Sequence, residues 1–136
     1  MRATNGLSPI KPPWSTLTAY DLNEGTIRWQ VPLGDVPFLA AKGITGTGSS
    51  YPKVGPVVTA GGLIFAGTRD KKVRAFDVNT GEIVWEREVG AALEGIPAVY
   101  EVDGKQYLLF CAAAQAGLTP DTAEEIQGAY VAFSLP

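Results

Sequence analysis

Residues 19–29, AYDLNEGTIRW, and residues 75–85, AFDVNTGEIVW, are one phrase written twice, 56 residues apart, with Ala, Asp, Asn, Gly and Trp at matching offsets. A shorter echo closes the chain: VAFSLP at 131–136 repeats RAFDVN at 74–79 at an offset of 57. Self-similarity over tens of residues means that one supersecondary unit is used repeatedly and that each unit needs its neighbours to bury its apolar face. The chain can therefore be a solenoid or a propeller, and the content of each unit decides between them.

That content is short β-type runs bounded by turn residues. STLTAYDL (15–22) and TIRWQVPL (26–33) flank Asn23-Glu24-Gly25, and GPVVTA and LIFAGT flank Gly61-Gly62. KVRAFDV and EIVWEREV flank Asn79-Thr80-Gly81, IPAVYEV and QYLLFCAA flank Asp103-Gly104-Lys105, and AYVAFSL ends the series. About nine strands joined mostly by hairpins predict antiparallel sheet, since parallel pairs need long crossovers. Units of four short antiparallel strands favour a propeller. Two stretches break the rhythm: 35–53, with one expected helical turn at 37–42, and 115–128, where TPDTAEEI reads as a capped helix start.

The repeated residues have physical tasks. Asp77 and Asn79 can accept hydrogen bonds from turn amides and Gly81 completes the bend. Ala19 and Ala75 stay small so that sheets can approach. Trp29 and Trp85 are expected as buried pegs, each wedged against the neighbouring sheet.

Composition narrows the chemistry. There are 136 residues, 46% hydrophobic and 18% charged, with 16 glycines and 10 prolines, which suits a turn-rich folded domain. A net charge of −3 without a basic patch argues against nucleic acid as partner. Histidine is absent, which removes the commonest general base and transition-metal ligand. The one cysteine, Cys111, sits in the apolar run YLLFCAAA and is expected to be buried and inert. No apolar run reaches the ~18 residues of a membrane span, and the N-terminal stretch lacks the apolar core of a secretory signal.

GPVVTAGGLIFAGTRDKKVRAFDVNTGEIVWE (55–86) closely resembles the C-terminal region of membrane-bound quinoprotein glucose dehydrogenases and related pyrroloquinoline quinone (PQQ) dehydrogenases. The Ala-x-Asp-x-x-x-Gly-x-x-x-Trp phrase looks like that family's tryptophan-docking motif, and residues 10–34, 100–110 and 129–136 are similar to the same family. The resemblance implies an all-β fold of antiparallel four-stranded blades: two to three blades of an eight-bladed propeller. Residues 15–34 would be the outer half of one blade, 54–90 a complete blade, and 96–136 three strands of a last blade that a strand from elsewhere in the propeller closes.

The family implies PQQ near the propeller axis, a calcium or magnesium ion on the quinone, an aspartate base, sugar or alcohol oxidation, and a periplasmic location. Most of the catalytic and cofactor groups of the family fall outside this stretch, so no catalytic or metal-binding residue is assigned and the chain alone is expected to bind no cofactor. Three residues are candidates for cofactor contact. Gln115, in AAAQA, stands where the family places a histidine, and its other reading is a simple loop amide. Tyr51 and Lys53, in TGSSYPKVGP, could face a quinone carboxylate, Lys as a point charge; their other reading is solvated loop. Asp121, Glu124 and Glu125 read as a helix cap, and Asp70, in GTRDKKV, as a charge-balanced hairpin.

Two functions follow as expectations. One is a C-terminal fragment of a PQQ-dependent dehydrogenase, inactive alone, whose partners are the remaining blades. The other is a stand-alone interaction module that self-associates into a homo-oligomer through exposed sheet edges, without nucleic acid and without membrane insertion.

Overall fold

The computed structural model describes residues 7–50, 52–114 and 128–134. Nine strands among these residues form three antiparallel sheets. The first sheet pairs β1 (Thr16–Asp21) with β2 (Thr26–Pro32). The middle sheet runs in the order β3 (Val57–Val58), β4 (Leu63–Thr68), β5 (Lys72–Asp77), β6 (Ile83–Glu88). The third holds β7 (Ala92–Val102), β8 (Lys105–Ala114) and β9 (Ala129–Ser134) in that order. Every neighbour within a sheet is also the neighbour in sequence, as hairpins require.

The two copies of the phrase fold alike. In each, the Asp at the end of a strand caps the turn that follows: Asp21 Oδ1 accepts from the amides of Asn23 and Glu24 at 3.0 and 3.2 Å, Asp77 Oδ1 from those of Asn79 and Thr80 at 2.8 and 3.0 Å. The caps are the aspartates, and the Asn79 side chain points to solvent. The turns close on Gly25 and Gly81, at φ of +67° and +74°, a region that a Cβ disfavours. Each glycine amide donates back to its aspartate's carbonyl, at 2.8 and 2.9 Å. In both hairpins the register shifts immediately after the alanine, so that Ala19 lies opposite Trp29 and Ala75 opposite Trp85.

The sheets stack face to face, and alternation along the middle sheet makes both contacts. Ile64, Ala66 and Phe76 face the first sheet, where they join Leu17 and Leu33. Val73 and Phe65 face the third, where Leu93, Leu108 and Phe110 meet them. Closeness at this second contact depends on Gly67: a Cβ there would stand 2.7 Å from Leu93 and 2.9 Å from Phe110. The third sheet begins at Ala92, ahead of the expected residue 96, because β7 continues through an irregularity between Glu94 and Ala98.

Two expectations about individual side chains are corrected. Cys111 is exposed. Strand β8 alternates, so Leu108, Phe110 and Ala112 face the core while the residue between the last two turns away from it. An apolar run does not make both faces of a strand apolar surroundings. Trp85 is 40% exposed, against the buried peg expected of it; it borders an open cleft and meets Phe133 of the third sheet. The two rings meet edge to face with centroids 5.5 Å apart.

The connection after β2 contains the expected helical turn, α1 (Pro37–Ala40), opened by proline. It then folds back against the first sheet rather than looping into solvent. The segment 115–127, with its expected helix start, lies outside the described residues.

Candidate functional site

Polar chemistry concentrates on one seam, between the first and middle sheets. Ser15 begins the arrangement: its Oγ donates to the Leu33 carbonyl at 2.8 Å and accepts from the Ser49 amide at 2.8 Å. That bond ties the returning connection to the end of β2, and the Trp14 amide adds a bond of 2.8 Å to the Thr47 carbonyl. Asp35 Oδ1 then accepts from the amide and the hydroxyl of Thr47, at 2.9 and 3.1 Å, while the Val36 amide donates to Thr47 Oγ1 at 2.9 Å. Thr47 and Ser49 are both buried, and Ser49 Oγ has no hydrogen-bond partner among the described residues.

A buried ion network continues from this loop into the middle sheet. The Arg74 side chain, 5% exposed, pairs with Asp70, 6% exposed, at 2.5 Å. Its Nε donates to Glu86 at 2.8 Å and its Nη1 to Thr68 Oγ1 at 2.6 Å. Thr68 Oγ1 in turn donates to Asp70, whose other oxygen takes the Asp35 amide at 3.1 Å. Lys72 holds the far side of Glu86 at 2.5 Å. One hydrogen-bonded chain thus runs from the returning loop through Asp70 and Arg74 to the outer strand.

Burial by itself would lower the Arg74 pKa, but the hydrogen bond and charge of Asp70, then the charge of Glu86, outweigh it and hold the pKa above the ordinary arginine value. For Glu86 partial burial pushes upward, while Lys72 and then Arg74 push downward and prevail, so its pKa lies below the usual carboxylate range. The chemical meaning is commitment. These carboxylates are neutralised by cations and bound by hydroxyls, an arrangement suited to fixing two sheets and a loop, not to accepting a substrate proton.

Of the three residues singled out for cofactor contact, Lys53 alone is among the described residues. Lys53 is exposed, and its backbone carbonyl accepts from the Gly95 amide at 2.7 Å, where Val54 and Gly95 form an isolated parallel bridge. Tyr51 and Gln115 lie outside the described residues, as do Asp121, Glu124 and Glu125. Asp70 is charge-balanced, but by the buried Arg74 four residues on. Among the described residues no group of three or more His, Cys, Asp or Glu side chains is placed to hold a metal ion. PQQ is an anionic polycarboxylate, and the buried arginine has its charge taken by Asp70 and Glu86. The described side chains therefore do not assemble a cradle for it, and no catalytic step is derived through them.

Sequence reasoning missed the network, although one signal was present. Pairing Ala75 with Trp85, as the phrase suggests, places Arg74 opposite Glu86 and Lys72 opposite Glu88. What the register could not supply is the burial of Arg74, which Thr68, Asp70 and Glu86 of the middle sheet surround.

The second seam, between the middle and third sheets, has an apolar interior, and Arg69 of the β4–β5 turn donates across it to Glu94 of β7 at 2.8 Å. At its outer end lies an open cleft of about 340 Å³ lined by Phe65, Val84, Trp85, Val99, Leu108 and Phe133.

Comparison with known proteins identifies what such a stack belongs to. Residues 1–108 match the PQQ glucose/ethanol/alcohol dehydrogenase β-propeller domain. A probable quinate dehydrogenase (quinone) from Xanthomonas campestris pv. juglandis is 37% identical over 138 residues, covering 96% of this chain and 17% of the relative. The quinoprotein glucose dehydrogenase of Escherichia coli (strain K12) is 29% identical, with 96% and 17% covered. Among solved structures, the quinohemoprotein alcohol dehydrogenase from Comamonas testosteroni superposes with a TM-score of 0.62 at 26% identity, over 88% of this chain and 16% of that one. The chain thus spans about a sixth of the length of the relatives it matches, and within that span the stacked sheets correspond to part of a propeller.

Proposed function

Since this chain belongs to the PQQ-dependent glucose/ethanol/alcohol dehydrogenase β-propeller family, we propose that it supplies adjoining blades of a quinoprotein dehydrogenase that oxidises a sugar or alcohol, and that it turns over no substrate by itself. The observation that carries this reading is the division of labour within the stack. The polar side chains of the first seam are spent on holding sheets together, and the second seam combines an apolar interior with the Arg69–Glu94 ion pair across it. Among the described residues neither seam sets a free base beside a cationic cradle, which supports placing the chemistry in other parts of the propeller.

In such an enzyme PQQ, with a calcium or magnesium ion, would accept the electrons of the substrate. This chain's residues contribute rigidity to its surroundings. Arg74, Asp70 and Thr68 lock the loop containing Asp35 and Thr47, and Trp29 seats the first sheet on the middle one. The periplasmic location and the remaining blades as partner rest on the family alone.

Purified chain mixed with PQQ, calcium and glucose, or with PQQ, calcium and a primary alcohol, is expected to reduce no redox dye beyond the rate of the mixture without protein. Sustained turnover would overturn the proposal.

A further inference from the structure

A groove of about 550 Å³ lies along the first seam, between the end of β2 and strand β6. That volume falls within the range of ligand pockets, roughly 300–1,000 Å³. Val31, Pro32 and Ile83 give it apolar walls, while Lys72, Arg74 and Glu86 bring hydrogen-bonding groups to it. Strand β6 bulges to make this lining. Phe76 pairs with Ile83 and Ala75 with Trp85, so Val84 is an extra residue between them. A bulge re-aims side chains. Here Ile83 and Glu86, three positions apart, line one groove, while Val84 and Trp85 line the apolar cleft of the second seam.

The repeat does not require charge at these positions. The offset of 56 places Thr16, Thr18 and Gln30 in the first sheet where Lys72, Arg74 and Glu86 stand in the middle one. The neutral set pairs in the same register, with Gln30 Nε2 donating to Thr18 Oγ1 at 2.8 Å. The charged set also keeps hydrogen-bonding capacity in reserve. Arg74 has five N–H groups, and its bonds to Glu86, Thr68 and Asp70 engage four of them. Lys72 has three and donates one, to Glu86. Both cations are matched by Glu86 and Asp70, which leaves no net positive charge for an anion to meet. Among the described residues no acid cluster is placed to hold a metal ion either.

We propose that this groove binds an uncharged polyhydroxylated ring of the pyranose sugar class, with its hydroxyls on Lys72, Arg74 and Glu86. A ring hydroxyl both donates and accepts. Neighbouring hydroxyls can therefore accept from Lys72 and Arg74 and donate to Glu86, whose carboxylate oxygens each keep a further lone pair. The C–H face of the ring rests on the walls formed by Val31, Pro32 and Ile83, as the mixed lining of ligand sites provides. No bond is made or broken in the groove. The inference concerns binding, needs no PQQ and stands independently of any redox activity.

The probe is methyl β-D-glucopyranoside, titrated without PQQ into the isotopically labelled full chain and followed by amide NMR shifts. Saturable shifts are expected at Lys72, Arg74, Ile83 and Glu86, with Leu93 and Phe110 of the second seam unmoved. Lys72→Met should weaken binding about ten-fold, the loss expected for a hydrogen bond from a charged group. Ile83 is exposed, so Ile83→Arg should fill the groove and abolish binding while leaving the far-UV circular dichroism and the melting temperature unchanged. Cyclohexanol, a ring with a single hydroxyl, should not saturate the site. Shifts that do not saturate overturn the proposal, as does binding that survives Ile83→Arg. Equal binding of cyclohexanol would make the groove merely apolar, and displacement of the sugar by calcium chloride would make it a cation site; either result also overturns the proposal. The titration and the dye assay fail independently of each other.

Discussion

Trp29 and Trp85 hold the same place in the same phrase, yet their surroundings differ. Trp29 is half-buried: its Nε1 donates to the Val78 carbonyl at 3.1 Å, and its ring lies so close over Gly81 that a Cβ there would stand 2.6 Å from it. Trp85 is 40% exposed and touches Phe133 by an edge. The strands that carry them are equivalent, so the difference arises in the sheet each one meets. Trp29 meets a full copy of the phrase, turn and glycine included. Trp85 meets β9, in which Ser134 stands where the turn-capping Asp77 would be. One phrase makes both halves of a joint, the peg on one sheet and the socket on the next, which is why it must recur.

The two seams also differ in what fills them, and that difference can be broken experimentally. The largest effect is expected in the polar seam. Arg74→Met leaves Asp70 buried without its cation and should destabilise the chain by about 3–5 kcal/mol in urea unfolding. Adding Asp70→Asn should recover part of the loss. A change below about 1 kcal/mol for the single variant would mean that the first sheet does not exclude water from the pair.

In the apolar seam the sensitive point is Gly67, because Leu93 and Phe110 occupy the space a side chain would need. Gly67→Val is expected to cost about 1–3 kcal/mol through overpacking, and to loosen the second seam without affecting the first. Quenching of Trp85 and Trp29 fluorescence, separated in single-tryptophan variants, distinguishes the two seams: acrylamide access should rise at Trp85 only.

The tryptophans give a smaller contrast. Trp29→Phe removes a hydrogen bond as well as area and should cost about 1 kcal/mol more than Trp85→Phe, since the indole nitrogen of Trp29 satisfies a carbonyl in the seam. Equal costs would mean that the two joints are energetically alike.

The smallest effect is on pH dependence. Glu86 titrates below its ordinary range when folded, so its contribution is present above the unfolded carboxylate pKa of about 4.3 and disappears as pH falls through the lower folded value. The urea midpoint should therefore fall between pH 5 and pH 3 by more in the native chain than in Glu86→Gln. Because the Glu86 side chain is 35% exposed, salt should shrink the difference.

Much of this architecture is legible in the residues. Alternating runs and Asp-to-Gly turns predict nine strands and antiparallel pairing, because hairpin geometry is set by local sterics and by carboxylates that cap amides two and three residues away. The repeat predicts stacking, since neither copy can bury its tryptophan alone. The candidate site was far less legible. Asp70 was read as part of a charge-balanced hairpin, and it forms with Arg74 the most deeply buried ion pair described. Cys111 was expected inside on the strength of apolar neighbours in sequence and Trp85 on its place in the repeated phrase, yet Cys111 is exposed and Trp85 is 40% exposed.

The sequence by itself determined the strands, their turns and their register, because each depends on contacts between residues close along the chain. Only the tertiary structure decided which face of each sheet is covered. Burial depends on what another sheet, tens of residues away, lays across it. That is why Arg74 became the centre of a locked seam while Trp85, written in the same phrase as Trp29, stayed at the edge of an open cleft.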